Sequence, residues 1–161
     1  MAKTDMSALV QCKLGAGSVA VGKTPAPHDL SDLKQLHVSH IITLLTADEN
    51  AELVRDAIMH AGFNSQWFPI TENVENSETE CEHFRQYVQE LNELLTSGAN
   101  IYLHEGDSYH RSVLILFALL HLRGIPSASA WSLVNDLTGG QARMVSKAEL
   151  HWAASMGSSL R

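Results

Sequence analysis

The amino-acid sequence predicts an α/β domain in three layers, a central, mostly parallel sheet flanked by helices. Three observations predict it. Short β-branched or apolar runs alternate with segments of helical periodicity along the chain. The run from Val38 to Leu45 is β-branched and apolar in the manner of a strand buried on both faces, as parallel sheets require. Val113 to Leu122 is apolar all round, which marks a helix enclosed on most sides.

Taken in order, Ala8–Lys13 and Ser18–Val21 are short apolar runs punctuated by Gly15, Gly17 and Gly22, and are expected as a pair of strands. A Pro-rich turn over Thr24–His28 leads to a short helix over Asp29–Leu36 and then to the Val38–Leu45 strand. Thr46 with Glu49 three residues on is the capping-box pattern. It is expected to open a helix in which Leu53, Val54, Ala57, Ile58 and Ala61 repeat at helical spacing until Gly62 ends the run. Ser65–Ile70 reads as a further strand and Thr71–Glu78 as a polar loop. Phe84, Tyr87, Val88, Leu91, Leu94 and Leu95 share one face of the next helix, closed by Ser97 and Gly98. Asn100–Leu103 is a short strand, and beyond the buried helix two more helices are expected near Ala128–Leu137 and Ser146–Met156. No internal repeat or linker divides the chain, so residues 1–161 are read as one domain.

Composition excludes several classes of function. A formal charge of −7 leaves no basic stripe to neutralise phosphates, so nucleic acid is not an expected partner. The longest apolar run, Val113–Leu122, falls short of the roughly 18 residues of a membrane span. The opening Met-Ala-Lys-Thr-Asp-Met lacks a signal-peptide pattern, and a cytoplasmic protein without membrane attachment is expected. Cys12 and Cys81, without a CxxC pair, form neither a disulfide framework nor a zinc module and read as reduced, structural thiols.

The residues that carry chemistry lie between the Asn100–Leu103 strand and the buried helix: His104-Glu105-Gly106-Asp107-Ser108-Tyr109-His110-Arg111-Ser112. In a parallel sheet, ligands gather at such carboxyl ends of strands. The His-Glu opening lacks a second His at i+4, where Ser108 stands, so neither a metal nor any other cofactor is expected. The stretch resembles the signature loop of protein tyrosine and dual-specificity phosphatases, His-Cys-x-x-Gly-x-x-Arg-Ser/Thr. His104, Arg111 and Ser112 are in register, Glu105 stands at the Cys position and Ser108 at the Gly position. Ile41–Thr46, a helix, and then Trp67-Phe68-Pro69-Ile70-Thr71-Glu72 are similar to the kinase-associated branch of that family, in which a Pro-Ile-x-Asp segment supplies the general acid; Glu72 falls at the Asp position. Leu133–Lys147, with Gly139-Gly140-Gln141-Ala142-Arg143, resembles the segment after the signature helix, and the likeness spans Ser18–Trp152.

The resemblance implies a cysteine-phosphatase-like fold. It also implies a phosphate loop, His104 with Gly106, Asp107, Ser108, Tyr109 and His110, whose N–H groups cradle a phosphoryl group together with Arg111 and the helix N-terminus. Ser112 takes the place of the hydroxyl beside the nucleophile, and Glu72 that of the acid which protonates the leaving oxygen. The nucleophile itself is replaced. At about 4 Å and an effective dielectric near 20, two unit charges repel by about 4 kcal/mol, and a phosphate dianion beside an ionised Glu105 would feel roughly twice that. An ionised Glu105 facing Arg111 at the helix N-terminus would instead be an internal substitute for the phosphate. The expected protein is a catalytically inactive phosphatase-like domain with a binding or regulatory role. The alternative is a hydrolase of a phosphate ester or another substrate that uses Glu105 as base or nucleophile.

Glu72, Glu75, Glu78, Glu80, Glu82, Glu90 and Glu93 face the single cation Arg85 in their segment. Two readings stand side by side: a solvated loop and helix face, or an acidic rim for a basic protein partner.

Overall fold

Strand pairing sets the layout. In a computed structural model, which describes Met6 and residues 9–161, five strands form one sheet: β1 (Cys12–Leu14), β2 (Gly17–Gly22), β3 (His40–Thr43), β4 (Asn64–Trp67) and β5 (Asn100–His104). Their order is β1-β2-β5-β3-β4; β1 runs antiparallel to β2, and the remaining pairs are parallel. The last-formed strand in the chain is therefore central. Its residues alternate between the two faces: Ile101 and Leu103 join one core with Val19, Val21 and Ile42, while Tyr102 joins the other with Ala20 and Ile41. Both faces are dry, which is why β3 and β5 read as unbroken apolar runs.

The smaller core lies under α1 (Pro27–Gln35) and α2 (Ala51–His60). The larger lies under α3 (Glu78–Thr96), α4 (His110–Leu122), α5 (Ser127–Leu137) and α6 (Lys147–Ser158). All residues of α4 from Arg111 to His121 are buried, because α3, α5 and α6 surround the helix on the sides that the sheet does not cover. Helix α6 approaches α4 closely at Gly157, where a Cβ would stand 1.9 Å from the Ala118 carbonyl oxygen. Among the described residues no helix is long and apolar enough to cross a membrane.

Several expected boundaries move, each for a local reason. Of the first expected strand, Ala8–Lys13, only Cys12 and Lys13 pair among the described residues, the pairing runs on to Leu14, and Ala8 lies outside the described residues. Helix α1 begins at Pro27, whose missing N–H costs nothing in a first turn, and Asp29 accepts from the Ala26 N–H at 2.8 Å. The Thr46/Glu49 box does not open α2. It opens a separate 3-10 turn, Ala47–Glu49, and Asn50, left-handed at φ 63°, stands between that turn and Ala51. Strand β4 ends at Trp67, although the Phe68 and Ile70 N–H groups still reach the Thr43 and Leu44 carbonyls. Within the expected loop before α3, Val74–Asn76 forms a 3-10 turn, and Ser77 caps α3 by accepting from the Glu80 N–H. Helix α4 starts three residues earlier than its apolar run, which puts Arg111 and Ser112 in the first turn.

A Gly157→Ala variant is expected to lose about 1–3 kcal/mol of unfolding free energy, because the obstructing atoms are backbone and cannot rotate away. Urea denaturation against the unaltered protein measures it.

Candidate functional site

The parallel strands β2, β5, β3 and β4 end on the same side of the sheet, so the segments after them converge on the loop between β5 and α4. At the base of that loop His104 is fully buried. Its Nε2 lies 2.8 Å from Thr43 Oγ1 and its Nδ1 3.2 Å from Thr24 Oγ1, so the ring ties the ends of both neighbouring strands to β5. Burial lowers the imidazole pKa to about 4, leaving it neutral near pH 7. Gly106, at φ 94°, makes the turn that follows.

A helix N-terminus presents N–H groups with no partner inside the helix, and here three of them have side-chain acceptors. The His110 N–H donates to Ser108 Oγ at 3.2 Å. The Arg111 N–H donates to Glu105 Oε1 at 3.0 Å, and the Ser112 N–H donates to Glu105 Oε2. Ser112 Oγ donates to the same Oε2 at 2.8 Å, and Arg111 Nε approaches Oε1 at 3.4 Å. The Glu105 carboxylate, 2% exposed, therefore sits against the first turn of α4 with both oxygens engaged by donors. Burial, the largest effect, raises its pKa above the ordinary carboxylate value, and the Arg111 and Ser112 N–H groups, the Ser112 hydroxyl and the Arg111 charge offset this only in part.

Sequence reasoning missed the second carboxylate. Glu49 grips the Arg111 guanidinium with both oxygens, at 2.7 Å to Nη1 and 2.9 Å to Nη2. The Ile70 carbonyl accepts from Nη1 at 3.0 Å, and the Glu105 carbonyl lies 3.4 Å from Nη2. Arg111 is 6% exposed and shared between two acids. Glu49 is held in turn by the Thr46 N–H and hydroxyl, at 2.9 and 3.0 Å to its Oε1, so one residue serves as turn cap and as ion-pair partner. The hydrogen bonds from Arg111 pull the Glu49 carboxyl down to about 2. The only signal in the sequence was the Thr46-x-x-Glu49 spacing, which accounts for the cap without reference to Arg111.

The other expected residues divide. Asp107 and Ser108 are exposed, and Tyr109 and His110 are half-buried. With Lys23, Gln141 and Met144 they line an open cavity of about 470 Å³ over the outer side of the loop. His110 Nε2 lies 2.5 Å from Glu149 Oε2 and joins the first turn of α4 to that of α6. Glu72 stays exposed beyond Thr71 and makes no hydrogen bond to the loop among the described residues.

No protein-family model matches the chain, and no curated protein matches its sequence. Solved structures do match in fold. A kinase associated phosphatase carrying serine in place of its catalytic-site cysteine superposes with a TM-score of 0.74 at 14% identity, over 94% of this chain and 94% of that one. Tk-PTP in its active form gives 0.66 at 20% identity over 91% and 95%. A protein tyrosine phosphatase from Leishmania major gives 0.64 at 13% identity over 91% and 95%. The five-stranded, mostly parallel sheet flanked by helices is thus the fold of the protein tyrosine and dual-specificity phosphatases.

Two outcomes test this geometry. His104 has an ordinary pKa of 6.5 and a folded value of about 4, so its contribution to stability is complete above pH 6.5 and is lost as the pH falls toward 4. His104→Gln should remove about 3 kcal/mol from the difference in stability between pH 7 and pH 4, read from denaturant titrations at both pH values. Glu49 is depressed from 4.5 to about 2, so the stability deficit of Glu49→Gln should be full above pH 4.5 and shrink as the pH falls toward 2. Thermal melts of both proteins across that range measure it.

Proposed function

We propose that this chain is a phosphatase-fold protein without phosphoester hydrolase activity, a cytoplasmic pseudophosphatase that acts by binding a protein partner in a regulatory role. The observation that supports this most directly is the position of the Glu105 carboxylate. It accepts from the Arg111 N–H, the Ser112 N–H and the Ser112 hydroxyl, the donors that an incoming phosphoryl group would need. An anion already occupies the helix N-terminus, and a second, Glu49, holds the guanidinium fork. A phosphate dianion would have to enter beside both negative charges.

The alternative, Glu105 as a base or nucleophile, needs a carboxylate oxygen directed at a substrate. Both oxygens are engaged by Arg111 and Ser112 in the first turn of α4 instead, and the residue is 2% exposed. Ser108 further departs from a phosphate cradle by placing a side chain in the loop, where its Oγ accepts the His110 N–H.

An aryl phosphate assay with and without Mg²⁺ is expected to show no turnover for the unaltered protein or for Glu105→Ala. Turnover that disappears in Glu105→Ala would overturn the proposal. The double variant Glu105→Cys, Ser108→Gly should regain measurable hydrolysis and bind sulfate at least tenfold more tightly than the unaltered protein, measured by calorimetry.

A further inference from the structure

The segment after β4 and the first half of α3 enclose a second cavity, of about 280 Å³, separate from the open cavity beside Ser108. Its apolar floor is made by Ile70, Val74, Phe84 and Tyr87. The first three are buried, and Tyr87 stacks on Phe68 with ring centroids 4.7 Å apart and planes 9° from parallel. The floor is therefore preformed. At its edge Thr71 Oγ1 donates to Glu80 Oε1 at 2.6 Å and joins the two walls.

Size and charge together select the occupant. The volume is just below the roughly 300–1,000 Å³ of small-molecule pockets and suits one large side chain used as an anchor. Among the described residues no Lys or Arg lines the cavity, whereas Glu80 does. The one Lys or Arg between Glu72 and Glu93, Arg85, is paired with Glu82 at 2.7 Å, and among the described residues no other cation pairs with the neighbouring acids. The whole chain carries −7. We infer that this cleft is the docking site for a basic peptide segment of a partner protein, which seats one aromatic side chain on the Phe84–Tyr87 floor and directs Lys or Arg side chains to Glu80 and its acidic neighbours. The inference rests on the binding role proposed above. It also gives that role a physical connection to the loop, because the Ile70 that lines the cleft lends its carbonyl to Arg111.

The probe is an amidated heptapeptide with phenylalanine at its centre and three lysines on either side. Its companions have alanine at the centre, or glutamates in place of the lysines. Binding is followed by fluorescence anisotropy at low and at physiological ionic strength. The phenylalanine peptide is expected to bind at least tenfold more tightly than the alanine peptide and the glutamate peptide not at all. Glu80→Lys should weaken it at least fivefold, while Glu52→Lys, the same charge change on exposed α2, should leave it within twofold. Thr71→Trp, which fills the mouth from an exposed position, should abolish the preference for phenylalanine. Equal affinity for the phenylalanine and alanine peptides, an equal loss in Glu52→Lys, or no binding at all would overturn the inference. So would phenethylamine alone binding as tightly as the peptide, which would assign the cleft to a small amine. Aryl phosphate turnover by the unaltered protein would overturn the lack of catalysis without altering these binding outcomes, so the two failures are distinguishable.

Discussion

The carboxylate of Glu105, turned back onto the first turn of α4, is the interaction on which the arrangement around it depends. A buried carboxylate costs several kcal/mol of desolvation unless donors surround it. Here two backbone N–H groups, a hydroxyl and a guanidinium do so, and the same contacts satisfy N–H groups that the helix cannot pair internally. Removing the carboxylate would leave those donors unpaired in a dry site, and removing Arg111 would leave two acids facing each other. Anion, helix end and cation therefore form one unit in which each part offsets the burial of the others.

The sheet makes that unit possible. With β5 at the centre and parallel to β2 and β3, the chain after β3 delivers Glu49 and the chain after β4 delivers the Ile70 carbonyl, both to Arg111. Neutral, buried His104 fixes the β5 end against Thr24 and Thr43, so the loop is anchored on both sides before it turns at Gly106. The cavity beside Ser108 and the cleft beside Glu80 share no lining residue.

Much of this was legible in the sequence because it depends on local pattern. Alternating apolar runs marked all five strands to within a few residues, and the uniform hydrophobicity of Val113–Leu122 identified the central helix before its neighbours were known. The resemblance of His104, Arg111 and Ser112 to a phosphatase signature loop singled out this stretch, with Glu105 beside His104. Less legible were the ends of elements. Thr46 and Glu49 have the spacing of a helix cap, but Asn50 adopts a left-handed backbone and separates them from α2. The start of α4 was hidden because His110, Arg111 and Ser112 are polar, and polar residues in a first turn carry no periodic signal.

From sequence alone came the α/β class and an acid, Glu105, in a polar loop at a strand's carboxyl end, which are properties of residue type and spacing; that the acid stands at a nucleophile position is what the family resemblance implies. Only the tertiary structure decided what that acid does with its charge and what shares the arginine. Glu49 stands 62 residues before Arg111, and a contact at such a distance is set by strand order, which no local pattern encodes.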